Sequence, residues 1–235
     1  MPRTSRRRLL RHGTVAAALG AAGCVGLLDG GGGSDDDAED DEDTESSTGE
    51  GSIPNGAAAL YPFEGDGDTI ADRTGNGHDG QLRETTRTDA RSGTALDVER
   101  GSYATVGTAD TLNPGTESFT TALWFRTESV PDANYRGRQA LLVKRADTDA
   151  LRWHFVLHGE QVQLDVNDGQ SGGRVRSESG FVDGEWHHAV AVRDTETLRL
   201  YVDGEQRAQT DATLGRVAPP SPIYLGAQPE YPNAL

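Results

Sequence analysis

The feature that most constrains the fold of this chain is a series of short segments in which apolar and polar residues alternate with a period of two. They include T-A-L-D-V, S-F-T-T-A-L-W-F-R, L-R-W-H-F-V-L-H, Q-V-Q-L-D-V, W-H-H-A-V-A-V-R and T-L-R-L-Y-V-D. Pairs such as N-G, D-G and H-G lie between them, and no stretch of ten or more residues shows helical periodicity. Many short strands joined by turns predict an all-β, antiparallel two-sheet sandwich or jelly roll over residues 53–235.

The alternation also predicts which side chains face the core. Two sets share an inward phase: Phe119, Leu123, Phe125 and Trp153, Phe155, Leu157. The opposite phase carries Trp124, Arg126, Arg152, His154 and His158. Since an aromatic ring stacks on a sugar while Arg and His donate hydrogen bonds, these five residues form the predicted ligand face. The alternative is a solvated outer face with a half-buried Trp.

The N-terminus has the pattern of an export leader over residues 1–23. Five arginines and no acid precede the weakly apolar run G-T-V-A-A-A-L-G-A-A-G, which is shorter than the ~20 residues that span a bilayer. S-R-R-R-L-L fits the twin-arginine (Tat) form. The alternative is a basic amphipathic helix of the mature protein, which the lack of helical periodicity disfavours. A-A-G-C resembles a lipoprotein box, so Cys24, the only cysteine, is the predicted lipid-anchored residue.

Residues 24–52 carry a dense run of acids, with eleven Asp or Glu and no Lys or Arg between 25 and 52. Such a segment is expected to be a disordered, self-repelling tether. Without the five leader arginines, 17 basic residues stand against 38 acids, which gives a net charge near −21. Nucleic acid is therefore excluded as a partner. The acid-rich, lysine-poor composition is similar to that of extreme halophiles of haloarchaeal type.

Several segments together resemble the laminin G-like, concanavalin A-like jelly-roll family. They are residues 60–82, A-L-D-V at 95–98, S-F-T-T-A-L-W-F-R at 118–126, G-E-W-H-H-A-V-A-V-R at 184–193, L-R-L-Y-V-D-G at 198–204 and Y-L-G-A at 224–227. The resemblance implies two curved antiparallel sheets and binding to glycans or proteins. Members usually continue into a last strand like G-x-I-D-E-V-R-I-Y. No such strand follows Y-L-G-A here, so the first strand, near residues 57–63, is expected to lack its neighbour.

The loop A-D-R-T-G-N-G-H-D-G at residues 71–80 raises the question of a metal. In the family the equivalent loop often binds a structural calcium ion. Asp72 would supply the side-chain ligand, and carbonyls from Gly75, Asn76 and His78 would complete the set. An Asx-type turn that joins two strands is the equally weighted alternative. The six histidines predict no zinc site, because His187 and His188 point to opposite faces, and His154 and His158 lie about 13 Å apart.

The sequence contains no catalytic signature. Glucanases of this fold resemble E-x-D-x-x-E on one strand, and neither this run nor G-x-S-x-G occurs. The sequence therefore predicts a non-catalytic binding or adhesion module for a glycan or surface protein, lipid-anchored on the extracellular face of the cytoplasmic membrane. A structural spacer or assembly subunit is the alternative, and a polysaccharide-active enzyme is the less favoured one.

Overall fold

The computed structural model describes residues 53–99, 101–108, 110–130, 138–146 and 151–226, and the backbone of Gly13–Ala21. All regular structure in these ranges is β-strand, as the alternating pattern predicts. The strands are β1 (Gly13–Ala21), β2 (Ala59–Tyr61), β3 (Thr69–Ile70), β4 (Gly80–Arg83), β5 (Thr86–Asp89), β6 (Thr94–Val98), β7 (Tyr103–Val106), β8 (Phe119–Arg126), β9 (Arg138–Arg145), β10 (Leu151–His158), β11 (Gln161–Asp168), β12 (Gly172–Ser179), β13 (His187–Arg193), β14 (Thr197–Val202), β15 (Glu205–Asp211) and β16 (Ile223–Leu225).

The strands form two antiparallel sheets of eight strands each. Sheet A has the order β15-β14-β13-β8-β1-β6-β5, with β2 also paired to β1. Sheet B has the order β12-β11-β10-β9-β16-β7-β4-β3. The sheets pack face to face as a concanavalin A-like jelly-roll sandwich, which confirms the predicted fold class.

The core lies between the sheets and is built from the inward phase of each strand. The six predicted core residues Phe119, Leu123, Phe125, Trp153, Phe155 and Leu157 are all buried in one cluster. The two sheets approach each other closely at Gly173 on β12, where a Cβ atom would lie 2.6 Å from Cβ of Ala212 and 2.8 Å from Cδ1 of Leu198. Only glycine fits there without a shift of these neighbours.

Turn residues set the register of the hairpins. Asp203 and Gly204 both have positive φ, 55° and 81°, and join β14 to β15 through a two-residue loop of the type that D-G favours. Gly159, with φ 60°, begins the two-residue loop between β10 and β11. These registers determine which side chains lie opposite one another on each face.

The position beside β2, where the sequence predicts a missing strand, is occupied. Strand β2 pairs with β1, whose Ala17, Ala18 and Leu19 lie opposite Tyr61, Leu60 and Ala59. On its other side β1 pairs with β8 over eight residues, from Thr14 opposite Arg126 to Ala21 opposite Phe119. In the chain that carries residues 13–21, this corrects the expectation of an unpaired edge: the neighbour is the apolar segment of the predicted leader, because a small-residue run satisfies a backbone ladder whatever its place in the chain.

Two predictions at the termini lie outside the described residues. They are the lipid-anchored Cys24 and the acidic tether of residues 24–52, and both stay predictions. Within the described ranges, no helix has the length and apolar character required to cross a bilayer.

Candidate functional site

The outer face of sheet B carries a group of basic and polar side chains, here called the basic face. Its residues are Arg138 and Arg145 on β9, Arg152, His154 and His158 on β10, Gln163 and Asp165 on β11, and Arg174 and Arg176 on β12. They alternate with residues that enter the core, so each strand presents its polar phase to this side.

The strand registers place these side chains directly across from one another. His158 lies opposite Arg138, and Arg152 lies opposite Arg145. Asp165 lies between His154 on one side and Arg174 on the other. The three predicted ligand residues of β10 are therefore part of a larger surface, whose other members come from three neighbouring strands.

Asp165 is the acid at the centre of the basic face. It is 2% exposed, and it accepts hydrogen bonds from Nε of Arg152 at 3.0 Å and from Nε of Arg174 at 2.9 Å. Burial acts to raise the pKa of Asp165, but the two guanidinium groups outweigh it and hold that pKa below its ordinary value. Asp165 is therefore an ionised anchor that fixes the positions of both arginines.

A second cluster lies at the end of the face nearest the β10–β11 turn. The Nε of Arg176 donates to Oε1 of Gln163, whose side chain is fully buried. Among the described residues, Nε2 of Gln163, Nδ1 of His158 and Nε of Arg138 have no partner at hydrogen-bond geometry. The ring of His158 is nevertheless close enough to Gln163 for the amide to affect its pKa. These three polar atoms are therefore buried without a hydrogen-bond partner among the described residues.

The charges in this cluster act on one another. Burial lowers the pKa of His158, and the charges of Arg176, Arg138 and Arg174 lower it further. Burial likewise lowers the pKa of Arg176, with further lowering by Arg174 and Arg138. Burial and the cationic neighbours thus both favour the neutral form of the His158 ring.

The other two predicted ligand residues lie elsewhere. Trp124 and Arg126 are on β8 of sheet A. They therefore lie on the outer face of that sheet, on the opposite side of the sandwich from the basic face. The guanidinium of Arg91 lies 4.9 Å from the ring centroid of Trp124, and that of Arg126 lies 5.1 Å from the ring of Trp186. The single predicted ligand face is thus two faces, because alternation assigns the phase of a residue within its strand and not the sheet that the strand joins.

Asp72 is surrounded by hydrogen-bond donors. Its Oδ1 accepts from the backbone N–H of Leu60 at 3.1 Å and of Thr74 at 3.0 Å. Its Oδ2 accepts from the backbone N–H of His78 at 3.3 Å, and the Thr74 hydroxyl donates to the same carboxylate. A carboxylate has about four lone-pair sites, and four donors address them. This arrangement is that of an Asx-type turn, the alternative that the sequence leaves open, and calcium binding by Asp72 stays a prediction.

The other predicted calcium residues have turn roles as well. Gly75 has φ 78°, and Nδ2 of Asn76 donates to the carbonyl of Ala58 at 3.0 Å. The carbonyl of His78 accepts from the hydroxyl of Tyr61 at 2.7 Å. In the described ranges, no group of three or more His, Cys, Asp or Glu side chains is arranged to hold a metal ion.

His187 holds the entry to β13. Its Nδ1 lies 2.8 Å from Oδ2 of Asp203, and its Nε2 lies 3.0 Å from Oδ1 of Asp183. The ring also contacts Phe125 and Phe181, with centroids 5.6 Å and 5.1 Å away. These contacts give His187 a structural role at the start of β13.

Comparison with known proteins identifies the family. A laminin G model described as the concanavalin A-like lectin/glucanases superfamily matches residues 99–234. No curated protein matches the chain in sequence.

Three solved structures share the fold. The binding domain of Paraclostridial Mosquitocidal Protein 1 is 16% identical, with a TM-score of 0.58 over 70% of this chain and 43% of that one. The botulinum neurotoxin serotype G binding domain is 12% identical, with a TM-score of 0.53 over 67% of this chain and 40% of that one. Domain 4 of an extracellular arabinanase from Geobacillus stearothermophilus, solved with arabinotriose, is 17% identical, with a TM-score of 0.50 over 67% of this chain and 87% of that one.

This chain thus spans less than half the length of the two toxin domains, and at these identities the likeness concerns the fold alone. The family match covers more than half of the chain, and the sheets have the architecture that the family implies. The chain therefore belongs to the laminin G type of the concanavalin A-like lectin/glucanases superfamily.

Proposed function

We propose that this protein is a non-catalytic binding module that recognises a glycan or a surface protein through the basic face of sheet B. The observation that carries the proposal is the cluster of buried polar side chains on a sheet face that points away from the core. Burying such groups costs free energy unless they are paired, so their retention there favours a binding role over a passive surface.

The named functions of similar folds support this proposal. Two of the similar structures are described as binding domains, and a third is described in complex with arabinotriose. One of these three structures is thus described with a bound carbohydrate, and fold analogy alone does not choose the class of ligand for this chain.

A hydrolytic role has little support on the basic face. Glycoside hydrolysis uses two carboxyl groups, one of which needs a raised pKa to act as the acid. Asp165 is the acid of this face, and its two arginines hold its pKa low instead. A structural spacer remains the second candidate, and it would require no ligand at all.

The experiment that tests the function is a glycan array together with a pull-down of surface proteins, using the full chain in concentrated salt. The Arg174→Gln variant probes the face, and Arg199→Gln is the matched control, because Arg199 lies on β14 of the other sheet, beside Asp194. We expect capture of a ligand that the first variant weakens and the second does not. No capture by the native chain would favour the spacer, and release of shortened sugars would identify an enzyme.

We further propose that Cys24 anchors the protein to the outer side of the cytoplasmic membrane after Tat-dependent export. The support is the A-A-G-C sequence after a short apolar run. Cys24→Ser should move the protein from the membrane fraction to the medium. Equal membrane retention of both forms would refute the anchor.

A further inference from the structure

We propose that sheet A contains an acceptor slot for a strand from a partner polypeptide, and that β1 fills this slot until the partner strand replaces it. The slot is the space between β8 on one side and β2 and β6 on the other. It lies in a different sheet from the basic face. The proposal depends on the proposed removal of the leader only for the step that empties the slot in the cell.

The backbone pairing of β1 defines what the slot accepts. β1 runs antiparallel to β8 over eight positions, from Thr14 to Ala21, so an incoming strand needs about eight residues. Leu123 and Tyr61 lie opposite the position of Ala17, and each is only 1% exposed. Because successive side chains of a strand point to opposite faces, the incoming strand must carry apolar residues at every second position.

The leader segment G-T-V-A-A-A-L-G-A is a weak strand sequence for this place. Six of its nine residues are Ala or Gly, which are depleted in strands because they offer little side chain to pack. A segment rich in Val or Ile would form the same backbone ladder and bury more apolar area. Such a segment should therefore replace β1 once the two compete as separate chains.

Thr121 on β8 provides a second observation. Its side chain is fully buried, and its hydroxyl has no hydrogen-bond partner among the described residues. It lies opposite Leu19 of β1, a residue type with no hydroxyl, and opposite Ala191 of β13. A buried hydroxyl without a partner costs free energy, whereas Thr or Ser in a facing strand can pair with it. The slot therefore favours a strand with Thr or Ser at the position of Leu19.

The segments near the two ends of this sequence do not fit the slot. Residues 22–28 are shorter than the slot, and residues 29–52 contain no apolar residue larger than Ala. Residues 227–235 carry Pro229 and Pro232, and proline has no N–H for the ladder of a central strand. The occupant that fits is thus a strand of a partner polypeptide, held by main-chain hydrogen bonds and by alternate side chains, as in β-strand addition.

The test uses the full chain with a protease site inserted after Ala38. Cutting there makes β1 and the sandwich separate polypeptides, so β1 loses the high effective concentration that the tether provides. Synthetic peptides that match the nine positions of β1 then compete with it, and size-exclusion chromatography reports release of the N-terminal segment. The test peptide has Val at the core-facing positions, Thr at the position of Leu19, and Thr or Lys between them. One control has the same residues in an order without alternation, and another has Val at the position of Leu19.

We expect the cut chain to stay associated and the alternating peptides to release the N-terminal segment. The control without alternation should need at least about tenfold more peptide, because it cannot place all its apolar residues on one face. The Thr peptide should bind about two- to tenfold more tightly than its Val counterpart. Thr121→Val removes the hydroxyl and keeps the branched shape, so it should abolish that difference.

Disulfide trapping reports the register of the bound peptide. Ala122→Cys should form a disulfide with a peptide cysteine at the position of Ala18, which lies opposite Ala122, and not with one at the position of Ala16. Equal trapping at both positions would overturn the assigned register. Equal Kd values for the Thr and Val peptides would overturn the specificity assigned to Thr121.

The remaining outcomes separate the slot from the anchoring proposal. Equal release by the peptide without alternation, or no release by any peptide at about hundredfold excess, would overturn the slot. A sandwich that keeps its near-ultraviolet circular dichroism after the N-terminal segment leaves, with no peptide bound, would overturn it too. If the cut sandwich unfolds, the alternating peptide should restore that spectrum, and failure to do so would also overturn the slot. Retention of residues 1–23 by the exported protein would overturn the anchor and the emptying step, while peptide exchange in the cut chain would still support the slot.

Discussion

Replacement of Asp72 tests whether the loop at residues 71–80 is a turn or an ion site. Asp72→Ala removes the acceptor for the backbone N–H groups of Leu60, Thr74 and His78, while water can reach the loop in part. At about 1 kcal/mol for each of these donors, the loss should be about 3 kcal/mol in the free energy of unfolding. For a domain of this size, this corresponds to a fall in Tm of about 6–12 °C.

Asp72→Asn is the matched control. Asparagine keeps one oxygen for the N–H groups of Leu60 and Thr74 but turns its amide N–H₂ toward the N–H of His78, so about a third of the loss in the free energy of unfolding, about 1 kcal/mol, should remain. Burial acts to raise the pKa of Asp72, but its hydrogen bonds outweigh burial and lower it. Its contribution is thus present above the ordinary pKa of 3.8 and is lost as the pH falls through the lowered value. The difference between the native chain and Asp72→Asn should shrink in the same acid range.

The assay is thermal and urea unfolding, with calcium or with a chelator, at fixed high salt. If the loop is a turn, calcium should not change the Tm of any of the three proteins. The native chain should be the most stable, followed by Asp72→Asn and then Asp72→Ala. A rise in Tm with millimolar calcium that both substitutions abolish would refute this reasoning and make Asp72 an ion ligand. A loss below about 1 kcal/mol for Asp72→Ala would refute the hydrogen-bond account.

Three further predictions concern the whole domain. Burial acts to lower the pKa of His187, but Asp203 and Asp183 outweigh burial and raise that pKa. The stability that His187 contributes is therefore fully present below its ordinary pKa of 6.5 and is lost as the pH rises through the raised value. Unfolding of the native chain and of His187→Gln, measured against pH, checks this. Ala17→Pro removes a backbone N–H from β1, opposite Leu123 and Tyr61, and should lower the free energy of unfolding in urea by about 1–3 kcal/mol. Ala38→Pro in the acidic stretch should change it by almost nothing. Because 27 acids face 17 basic residues over 53–235, Tm should rise with potassium chloride, and a flat response would contradict the halophilic character inferred from composition.

The sequence allowed the strands and the core to be predicted because both depend on local alternation. Phe119 and Trp153 could be placed in the core from neighbours within their own strands, and they meet there at 4.8 Å. The partners of a residue in other strands depend on register and strand order, which alternation does not contain. For this reason Trp124 and Arg152 were predicted on one face although they lie on different sheets.

The same limit explains why the acid of the basic face was missed. Asp165 lies in Q-V-Q-L-D-V, where a polar residue in the outward phase carries no special signal. Its importance comes from Arg152 and Arg174, which are 13 and 9 residues away in the chain and reach it only through the pairing of β10, β11 and β12. The D-G turn after it was the one available clue, since it makes the second of those pairings a local hairpin.

The nine residues Gly13–Ala21 cannot be strand β1 of the sandwich and a leader held by export machinery at the same time. Their backbone links β8 on one side to β2 and β6 on the other, and β5 and β6 reach the rest of sheet A only through them. The same residues form the apolar part of the predicted export leader. Any machinery that captures this segment must first break the ladder that it shares with β8. Pairing of this segment with β8 therefore competes with its capture as a leader, and a substitution that stabilises the pairing should weaken the apparent affinity of capture by up to the same free energy.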